Sequence, residues 1–364
     1  MRELRSADIF CEVIDNFGDA GVCWRLARAL AAAGLQVTLW IDDQRRLQRL
    51  RPQIDDRLDR QPLDGFSLRR WSGEPVAAGD LVISAFGCRL PDATLQTMAM
   101  AQPAPVWINL EYLSAERWVE NSHRLPSPHP RLPLVQHFYF PGFTPRTGGL
   151  LKETGLIAAR DAFGAAERTA FLATLGIAVP PDALLLSLFC YPFAPVERLL
   201  AALRDGPPVV CLVPEGVTPL APPPGQQWSD GALTLVGVPF LAPDDYDRLL
   251  WSCDLNFVRG EDSAVRAQWA ARPFVWQFYA QDEAAHIDKL DAFLALYAPA
   301  SDSVSAVLPP FWRSWNGDPA GVLDWPAVRA ALPTLASRAQ AWQRQLASQQ
   351  DLAGGLIEFA REIG

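Results

Sequence analysis

Short runs of apolar residues alternate with longer amphipathic segments along most of this 364-residue chain. The apolar runs indicate buried strands, and the amphipathic segments, several of which begin at an acidic residue or a proline, indicate helices. Such alternation is typical of an α/β fold in which doubly wound, mostly parallel sheets are covered by helices. The predicted strands are 7–14, 36–41, 66–71, 80–86, 106–110, 183–191, 209–213, 233–236, 255–258 and 273–279.

The length of the chain favours two domains, because 364 residues exceed the usual size of a single hydrophobic core. The alternation restarts in the second half, with predicted helices over 158–175, from Pro195 and from Asp244. A last helical segment over 325–363, broken at Gly354-Gly355, is expected to return to the first domain. We therefore predict an N-terminal domain of residues 1–153 plus a C-terminal helix of about 344–364, and a second domain of residues 154–343.

The first strand is followed by the sequence DNFGDAG over residues 15–21, which predicts a turn before a helix that starts at Val22. With the strand over 36–41 this completes a βαβ unit. The turn lacks the G-x-G-x-x-G fingerprint, and no G-x-x-x-x-G-K-[ST] loop occurs in the chain. Nucleotide binding at this first turn is therefore not supported.

Two carboxylates, Asp15 and Asp19, lie in this turn at the carboxyl end of the first strand, where open α/β sheets bind their ligands. Asn109 and Glu111 place polar groups at the end of another strand. Acids that precede a helix also satisfy its free N–H groups and its dipole, and this structural role fits Asp19 well. The residues alone favour capping over catalysis.

The stretch CDLNFVRGEDSAVRAQWAARPFVWQ, residues 253–277, predicts a strand, a tight turn and a helix N-terminus. Such a junction is an anion site, to which Arg259 adds a planar cation and Ser263 a hydroxyl. The alternative is that Asp262 or Ser263 is only an N-cap and Arg259 a surface charge. Both interpretations stay open, and Glu261 and Asp262 would have to face sugar hydroxyls or a cationic acceptor rather than phosphate.

Aromatic residues come at strand ends of the second domain, where they could stack on a nucleotide base or simply pack in the core. They are Phe189, Tyr191 and Phe240. Residues 113–150 are a different kind of segment, rich in aromatics and prolines with little periodicity, and we predict a long irregular and functional loop. Its histidines, His123, His129 and His137, lack the spacing of metal ligands.

The formal net charge of −9 and a pI near 5.0 argue against binding to nucleic acid or to an anionic membrane, and suit a cationic acceptor. The six cysteines form no C-x-x-C pair and indicate reduced, buried thiols. No secretory signal and no membrane span is evident in the sequence, so a soluble cytoplasmic protein is expected. No metal-binding D-x-D triad is evident either, so a metal-independent site without a cofactor is expected.

Two α/β domains, an anion site on the second and carboxylates on the first describe a glycosyltransferase of the GT-B architecture, with two Rossmann-like domains that face each other across a cleft. Longer motifs then indicate a family. The chain resembles the bacterial protein-arginine rhamnosyltransferases that modify elongation factor P, from the first strand to about residue 300. The motifs are IFCEVIDNFGDAGVCWRLARAL, LPSPHP, FYFPGFTPRTGGLL, DYDRLLWSCDLNFVRGEDSAVRAQWA and PFVWQFY.

The resemblance implies an inverting enzyme that transfers L-rhamnose from dTDP-β-L-rhamnose to an arginine side chain of elongation factor P, which supports translation of proline-rich stretches. It implies an acceptor-binding first domain and a donor-binding second domain. The catalytic residues it implies are Asp19 as general base, Asp15 as its orienting partner, and Glu261 as a contact to acceptor or sugar. The implied donor-binding residues are Phe189, Tyr191, Phe240, Arg259, Asp262 and Ser263.

One departure from the family pattern precedes the DDYD sequence. Ala242-Pro243 stand here where the family commonly has Pro-Gln, so a side-chain amide for the thymine edge is missing. Two other functions remain as alternatives: another GT-B enzyme acting on a nucleotide sugar, such as a small-molecule transferase or an epimerase, and a non-catalytic protein that binds a sugar nucleotide. The latter has no use for both Asp15 and Asp19.

Overall fold

The computed structural model describes residues 3–14, 16–281 and 284–364. Its strands are β1 (Ser6–Cys11), β2 (Gln36–Ile41), β3 (Arg60–Leu63), β4 (Phe66–Arg70), β5 (Leu81–Ala85), β6 (Val106–Leu110), β7 (Pro126–Pro128), β8 (Val135–Tyr139), β9 (Leu184–Leu188), β10 (Val209–Pro214), β11 (Gln227–Asp230), β12 (Leu233–Val238), β13 (Leu255–Arg259) and β14 (Phe274–Gln277). Its helices are α1 (Asn16–Ala32), α2 (Gln44–Leu50), α3 (Asp92–Met100), α4 (Arg117–Ser122), α5 (Leu156–Asp161), α6 (Ala165–Thr174), α7 (Val196–Arg204), α8 (Pro243–Ser252), α9 (Asp262–Ala270), α10 (Ala285–Tyr297), α11 (Leu308–Trp315), α12 (Trp325–Ala347) and α13 (Leu352–Ile363).

The chain divides into two compact units, each built on its own sheet. Unit 1 comprises Met1–Thr154 and Leu346–Gly364, and unit 2 comprises Gly155–Gln345. No helix in the described part of the chain is long and apolar enough to cross a membrane.

Unit 1 contains an eight-stranded sheet in the order β3-β4-β2-β1-β5-β6-β8-β7. The six inner strands run parallel, and β3 and β7 pair antiparallel at the two edges. Because helices cover a parallel sheet on both faces, its strands are nearly continuous apolar runs. β5 and β6, for example, are buried at every position.

The helix α13 completes the core of unit 1. It packs against α1, and Leu356 and Phe359 join the same apolar cluster as Ile9 and Leu30. The chain therefore returns to unit 1 at its end because an apolar helix face covers the sheet there.

Unit 2 contains a six-stranded sheet in the order β11-β12-β10-β9-β13-β14, in which only β11 is antiparallel. The strand order changes direction between β9 and β13, since the chain adds β10 and β12 on one side of β9 and β13 on the other. Ligands of doubly wound sheets bind at such a switch point.

The predicted turn over residues 15–21 is wrong for its described part, because α1 already begins at Asn16 rather than at Val22. Gly18 and Gly21 are weak helix formers, which is why the pattern favours a turn. Tertiary packing outweighs that propensity, since Ala20 is fully buried in the core of unit 1. The first strand correspondingly ends at Cys11 and not at residue 14.

Three further predictions are corrected by the structure. The single helix predicted over 158–175 is divided into α5 and α6, with the second helix starting after Gly164. The break in the last helical segment precedes α13, and Gly354 and Gly355 lie within that helix. Gly355 is adjacent to the Tyr139 hydroxyl, so its missing side chain permits close packing.

The third correction concerns residues 113–150. This segment is not irregular throughout, because it forms α4 and the antiparallel pair β7–β8, of which β8 also extends the parallel sheet beside β6. Short elements of three to six residues leave little periodicity to detect.

Candidate active site

The switch point of unit 2 brings together residues from two neighbouring strands. In the parallel register Phe257 lies opposite Leu188, and the Phe189 N–H donates to the Phe257 carbonyl at 3.1 Å. Continuing this register places Arg259, the last residue of β13, beside Cys190. Arg259 and Cys190, which are about 70 positions apart in the sequence, thus meet because β9 and β13 are neighbours.

The Arg259 side chain is fixed against this edge. Its Nη1 donates to the Cys190 carbonyl at 2.7 Å, and its guanidinium carbon lies 4.3 Å from the Phe189 ring centroid and 4.8 Å from that of Tyr191. The Tyr191 backbone is held in turn by the buried Gln277, whose Oε1 accepts the Tyr191 N–H at 2.7 Å. The alternative of a loose surface charge at Arg259 therefore does not describe this residue.

Ser263 closes the turn between β13 and α9. Its hydroxyl accepts the Arg259 N–H at 3.1 Å and donates to the Arg259 carbonyl, and only 6% of the residue is exposed. Gly260 has a φ of 62°, which favours glycine, and its carbonyl accepts the Trp276 Nε1–H at 2.7 Å. Ser263 thus fixes the turn through its hydroxyl, which supports the structural interpretation of this residue.

Glu261 and Asp262 occupy the N-terminus of α9. Glu261 is the N-cap residue, Asp262 is the first residue of the helix, and both are half-buried. The turn therefore carries two carboxylates within three positions of Arg259 in the chain. Their predicted contacts to acceptor and donor stay predictions.

Phe240 follows the carboxyl end of β12, which is two strands away from β9. It is half-buried at the same edge of the sheet as Phe189 and Tyr191. At the usual spacing of about 4.8 Å between strands, roughly 10 Å separate the position of Phe240 after β12 from that of Phe189 after β9. The structure therefore puts the three predicted aromatics at one edge, and the rings of Phe189 and Tyr191 contact Arg259.

Two groups in this region were missed by the sequence analysis. Tyr246 packs edge-on against Phe189, with ring centroids 6.0 Å apart, and burial raises the pKa of its hydroxyl so that it remains a donor. Asp247 and Arg266 form a buried two-bonded ion pair between α8 and α9, with N–O distances of 2.7 and 2.5 Å. An arginine within the apolar stretch SAVRAQWA was the available sequence signal for such a pair.

In unit 1, Asp19 lies in the first turn of α1 and is 3% exposed. Its Oδ2 accepts the Ile14 N–H at 2.9 Å, so the carboxylate holds the loop that follows β1. Asp19 thus lies inside the helix and binds a loop N–H rather than capping a helix that begins after it, and this bond fixes a carboxylate at the ligand-binding edge of the sheet. Asp15 lies outside the described residues.

A second carboxylate lies at the same edge, after β6. Glu111 accepts the Asn109 Nδ2–H at 2.6 Å, and burial raises the pKa of Glu111. β6 is separated from β1 only by β5, so Glu111 and Asp19 follow strands that are next but one in the sheet.

All six cysteines are buried and have free thiols, as predicted. Within the described residues, no group of three or more His, Cys, Asp or Glu side chains is arranged to hold a metal ion. Arg259 and the N-terminus of α9 supply positive charge at this edge of unit 2.

Comparison with known proteins extends these observations. The profile of the family described as "Elongation-Factor P (EF-P) rhamnosyltransferase EarP" matches residues 7–361. A protein-arginine rhamnosyltransferase of Pseudomonas putida is 47% identical over 375 residues, which cover 97% of this chain and 98% of the relative. The corresponding protein of Pseudomonas aeruginosa is 44% identical over 374 residues, which cover 98% and 99%.

Among solved structures, the chain is similar to one reported under "Structural basis for EarP-mediated arginine glycosylation of translation elongation factor EF-P". The TM-score is 0.68 at 36% identity, with 98% of this chain and 99% of that chain covered. The spinosyn rhamnosyltransferase SpnG matches with a TM-score of 0.51 at 12% identity over 98% and 100% of the two chains. That weaker likeness concerns the GT-B fold alone.

Proposed function

We propose a donor and a general base for this chain, which belongs to the EarP family of elongation factor P rhamnosyltransferases and is a glycosyltransferase that modifies an arginine of that factor. The donor is dTDP-β-L-rhamnose, bound by unit 2. Asp19 of unit 1 is the general base. The observation that best supports this assignment is the Arg259 guanidinium, held over Phe189 and Tyr191 beside the N-terminus of α9. Both features attract a diphosphate.

The donor's diphosphate is the leaving group, and its charge must be stabilised as the bond to the sugar breaks. Arg259 and the first N–H groups of α9 supply this stabilisation, so the reaction needs no metal. Ser263 contributes by fixing the turn. Asp262 supports the donor pocket from the first turn of α9.

The nucleoside binds along the aromatic edge formed by Phe189, Tyr191 and Phe240. Stacking on an aromatic face is possible for any base, and Ala242-Pro243 provide no side-chain amide to read the thymine edge. Selectivity for thymine at that position therefore depends on backbone groups and on shape.

The acceptor is chemically demanding, because a guanidinium is protonated at physiological pH and its lone pairs are delocalised. A carboxylate cannot deprotonate it in advance, but it can orient one nitrogen and accept the proton as the new bond forms. Asp19 takes that proton, Asp15 orients the acceptor, and Glu261 holds the acceptor or the sugar.

The step balances as an inverting displacement. A guanidinium nitrogen forms a bond to the anomeric carbon of rhamnose while the bond from that carbon to the diphosphate oxygen breaks. The nitrogen's proton moves to the Asp19 carboxylate, and dTDP leaves with the electron pair.

The substrate and the free thiols of all six cysteines also support a cytoplasmic location.

The test of this proposal replaces Asp19 with Asn, which is nearly isosteric but not basic. In an assay with purified elongation factor P and dTDP-β-L-rhamnose, followed by the mass of the protein acceptor, Asp19→Asn should lower kcat by about 10²–10⁴ while donor affinity is retained. Near-normal turnover would refute the role of Asp19.

Asp42→Asn is the matched control, since the Asp42 Oδ1 accepts the Val13 N–H at 3.0 Å and thus anchors the same loop. Equal losses in both variants would show that Asp19 acts only as a loop anchor. No mass gain with the wild-type chain and dTDP-β-L-rhamnose, or transfer from a different nucleotide sugar, would overturn the donor assignment.

A further inference from the structure

Gln277 is a buried amide at the end of an otherwise apolar strand. The strand β14 reads FVWQ, all four of its residues are buried, and Gln277 is 0% exposed. Burying a side-chain amide without hydrogen bonds is costly, so the partners of Gln277 indicate what it does. In the parallel register Gln277 lies opposite Arg259, the cation of the site in unit 2.

The end of β14 fixes the backbone next to Arg259. The Gly260 N–H donates to the Gln277 carbonyl at 3.1 Å, and the Trp276 Nε1–H donates to the Gly260 carbonyl at 2.7 Å. Both polar groups of the residue that follows Arg259 are therefore bonded to β14. The point from which the Arg259 side chain starts is thus held in place.

The Gln277 side chain also acts on the far end of Arg259, through one peptide plane. Its Oε1 accepts the Tyr191 N–H at 2.7 Å, and the Arg259 Nη1 donates to the Cys190 carbonyl at 2.7 Å. That N–H and that carbonyl belong to the same planar peptide unit and point to opposite sides of it. The Gln277 oxygen therefore sets the plane to which the guanidinium is bonded, and it polarises the carbonyl that accepts from Arg259.

The orientation of the Gln277 amide is itself fixed from behind. Its Nε2–H donates to the Trp315 carbonyl at 3.5 Å, at the end of α11. The next residue, Phe278, donates its N–H to Oδ1 of Asn316 at 2.8 Å, and Asn316 is 1% exposed. Asn316 Nδ2 donates in turn to the Trp276 carbonyl at 2.9 Å. A network of satisfied buried amides thus supports the end of β14, which makes it a rigid support for the residues in front of it.

A purely structural role would also account for the bond between Gln277 and Tyr191, because a buried N–H needs an acceptor. The two roles differ in what they depend on. A structural glutamine contributes to stability independently of Arg259, whereas a positioning glutamine affects the reaction through the Arg259 guanidinium. The difference can therefore be measured as a coupling between the two residues.

We propose that Gln277 is a positioning residue of the donor site, whose buried amide directs the Arg259 guanidinium toward the leaving diphosphate. It acts through the peptide between Cys190 and Tyr191 and touches no substrate itself. This inference rests on the proposed function, because that function gives Arg259 a diphosphate to face. A preorganised donor matters most where charge develops, so a misdirected guanidinium should lower turnover more than it lowers the affinity for dTDP.

The first experiment is a double-mutant cycle on the transfer of rhamnose from dTDP-β-L-rhamnose to elongation factor P. Gln277→Met is close to glutamine in size but lacks the amide; it should lower kcat/KM about 10- to 100-fold, mainly through kcat. In an Arg259→Ala background the same substitution should change kcat/KM less than about 3-fold, because the group it acts through is gone. Losses that multiply in the double variant overturn the proposal and leave Gln277 a structural residue.

Gln268→Met is the matched control. Gln268 is also buried in unit 2, at 1% exposure, and its Oε1 accepts the Trp342 Nε1–H at 2.8 Å. This variant should lower the urea midpoint of unfolding as Gln277→Met does, while kcat/KM stays within about 3-fold of the wild-type value. A loss of kcat/KM equal to that of Gln277→Met would assign the effect to a general weakening of unit 2 and overturn the proposal.

A second experiment follows the peptide plane directly. In Gln277→Met the Tyr191 N–H loses its acceptor, so its hydrogen exchange, resolved by mass spectrometry with electron-transfer fragmentation, should become about 10-fold faster or more. The Phe189 N–H donates to the Phe257 carbonyl at 3.1 Å and should keep its rate. Gln277→Glu retains an oxygen for the Tyr191 N–H, so slow exchange and most of kcat/KM should return. Unchanged exchange at Tyr191 in Gln277→Met overturns the proposal.

The two proposals fail in different ways. If Arg259→Ala transfers rhamnose and binds dTDP as the wild-type chain does, the role of Arg259 in donor binding is wrong, and the positioning role of Gln277 is wrong with it. If Arg259→Ala loses activity as expected while Gln277→Met remains near the wild-type level, only the role of Gln277 is wrong.

Discussion

The position of Arg259 suits the role that we propose for it in donor binding. Its guanidinium lies over two aromatic rings and has one N–H group bonded to the Cys190 carbonyl, so the plane of the group is fixed. A fixed, planar fork retains further N–H groups in defined directions, and these match the oxygens of a diphosphate. A lysine ammonium has neither the planarity to stack nor the fork.

Arg259→Lys therefore keeps the charge but should lower kcat/KM by about 10²–10³, with weaker dTDP binding, because the leaving group loses oriented donors. Arg160→Lys is the control, since Arg160 is also half-buried and donates to a backbone carbonyl, that of Trp269, at 2.8 Å. Steady-state kinetics and dTDP titration of both variants provide the comparison. Equal, small effects would mean that Arg259 only supports the fold.

The sequence was sufficient to predict the residue types at the site but not how each is used. Arg259 and Ser263 were both predicted as phosphate contacts, yet the Ser263 hydroxyl bonds to the Arg259 backbone and fixes the turn. A hydroxyl near a helix start has the same sequence signature in either role, because both need a serine at the first turn. Only the backbone geometry distinguishes them.

At the scale of elements, the orientation of α9 sets the direction of the N-terminal N–H groups that we propose bind the diphosphate. α9 is joined to α8 by the buried pair of Asp247 and Arg266, which are 6% and 1% exposed. The two partners are 19 positions apart on two helices and leave no periodic signal, so the sequence indicates a buried arginine at position 266 but does not identify its partner. The strands of the same region were predictable, since their apolar runs are local.

Removing one member of the buried pair should be costly, because the other charge remains in the interior without its partner. Asp247→Asn is expected to lower the free energy of unfolding by about 3–5 kcal/mol, and the double variant Asp247→Leu/Arg266→Met should recover most of that loss. Asp245→Asn breaks the exposed pair with Arg248, at 3.0 Å on the same helix, and should cost less than about 1 kcal/mol.

Urea denaturation followed by tryptophan fluorescence measures these differences. A loss below 1 kcal/mol for Asp247→Asn would show that water or neighbouring groups compensate the Arg266 charge. The dTDP affinity of Asp247→Leu/Arg266→Met then shows whether the ion pair is needed to orient α9 or only to stabilise the packing of α8 and α9.

The errors in predicted helix boundaries have related causes. Gly18 and Gly21 indicated a turn and Gly354-Gly355 a break, yet all four residues lie in helices. Glycine lowers helix propensity by only about 1 kcal/mol, which tertiary packing readily outweighs. At Gly355 the neighbouring Tyr139 hydroxyl leaves no room for a side chain, so the glycine serves packing rather than termination.

At the scale of the whole molecule, the α/β class and the two-part organisation follow from the alternation of apolar runs and amphipathic segments. The order of strands within each sheet does not, because it is set by long-range pairing that the local pattern does not encode. The return of the C-terminal segment to unit 1 is a second feature that the local pattern does not explain. The C-terminal helix was expected in the first domain, and the reason is visible only in the structure, where α13 contributes Leu356 and Phe359 to the apolar core of unit 1.

This arrangement predicts that a substitution near the C-terminus destabilises the opposite end of the sequence. Leu356 is fully buried, so Leu356→Ala should cost about 2–5 kcal/mol and increase hydrogen exchange of the β1 and β2 amides. The amides of β9 and β10 belong to unit 2 and should keep their protection. Ile363→Ala, on the same helix but 39% exposed, should change neither set. Equal acceleration in both sets would mean that the two units unfold as one cooperative body, so that the core completed by α13 stabilises the whole chain.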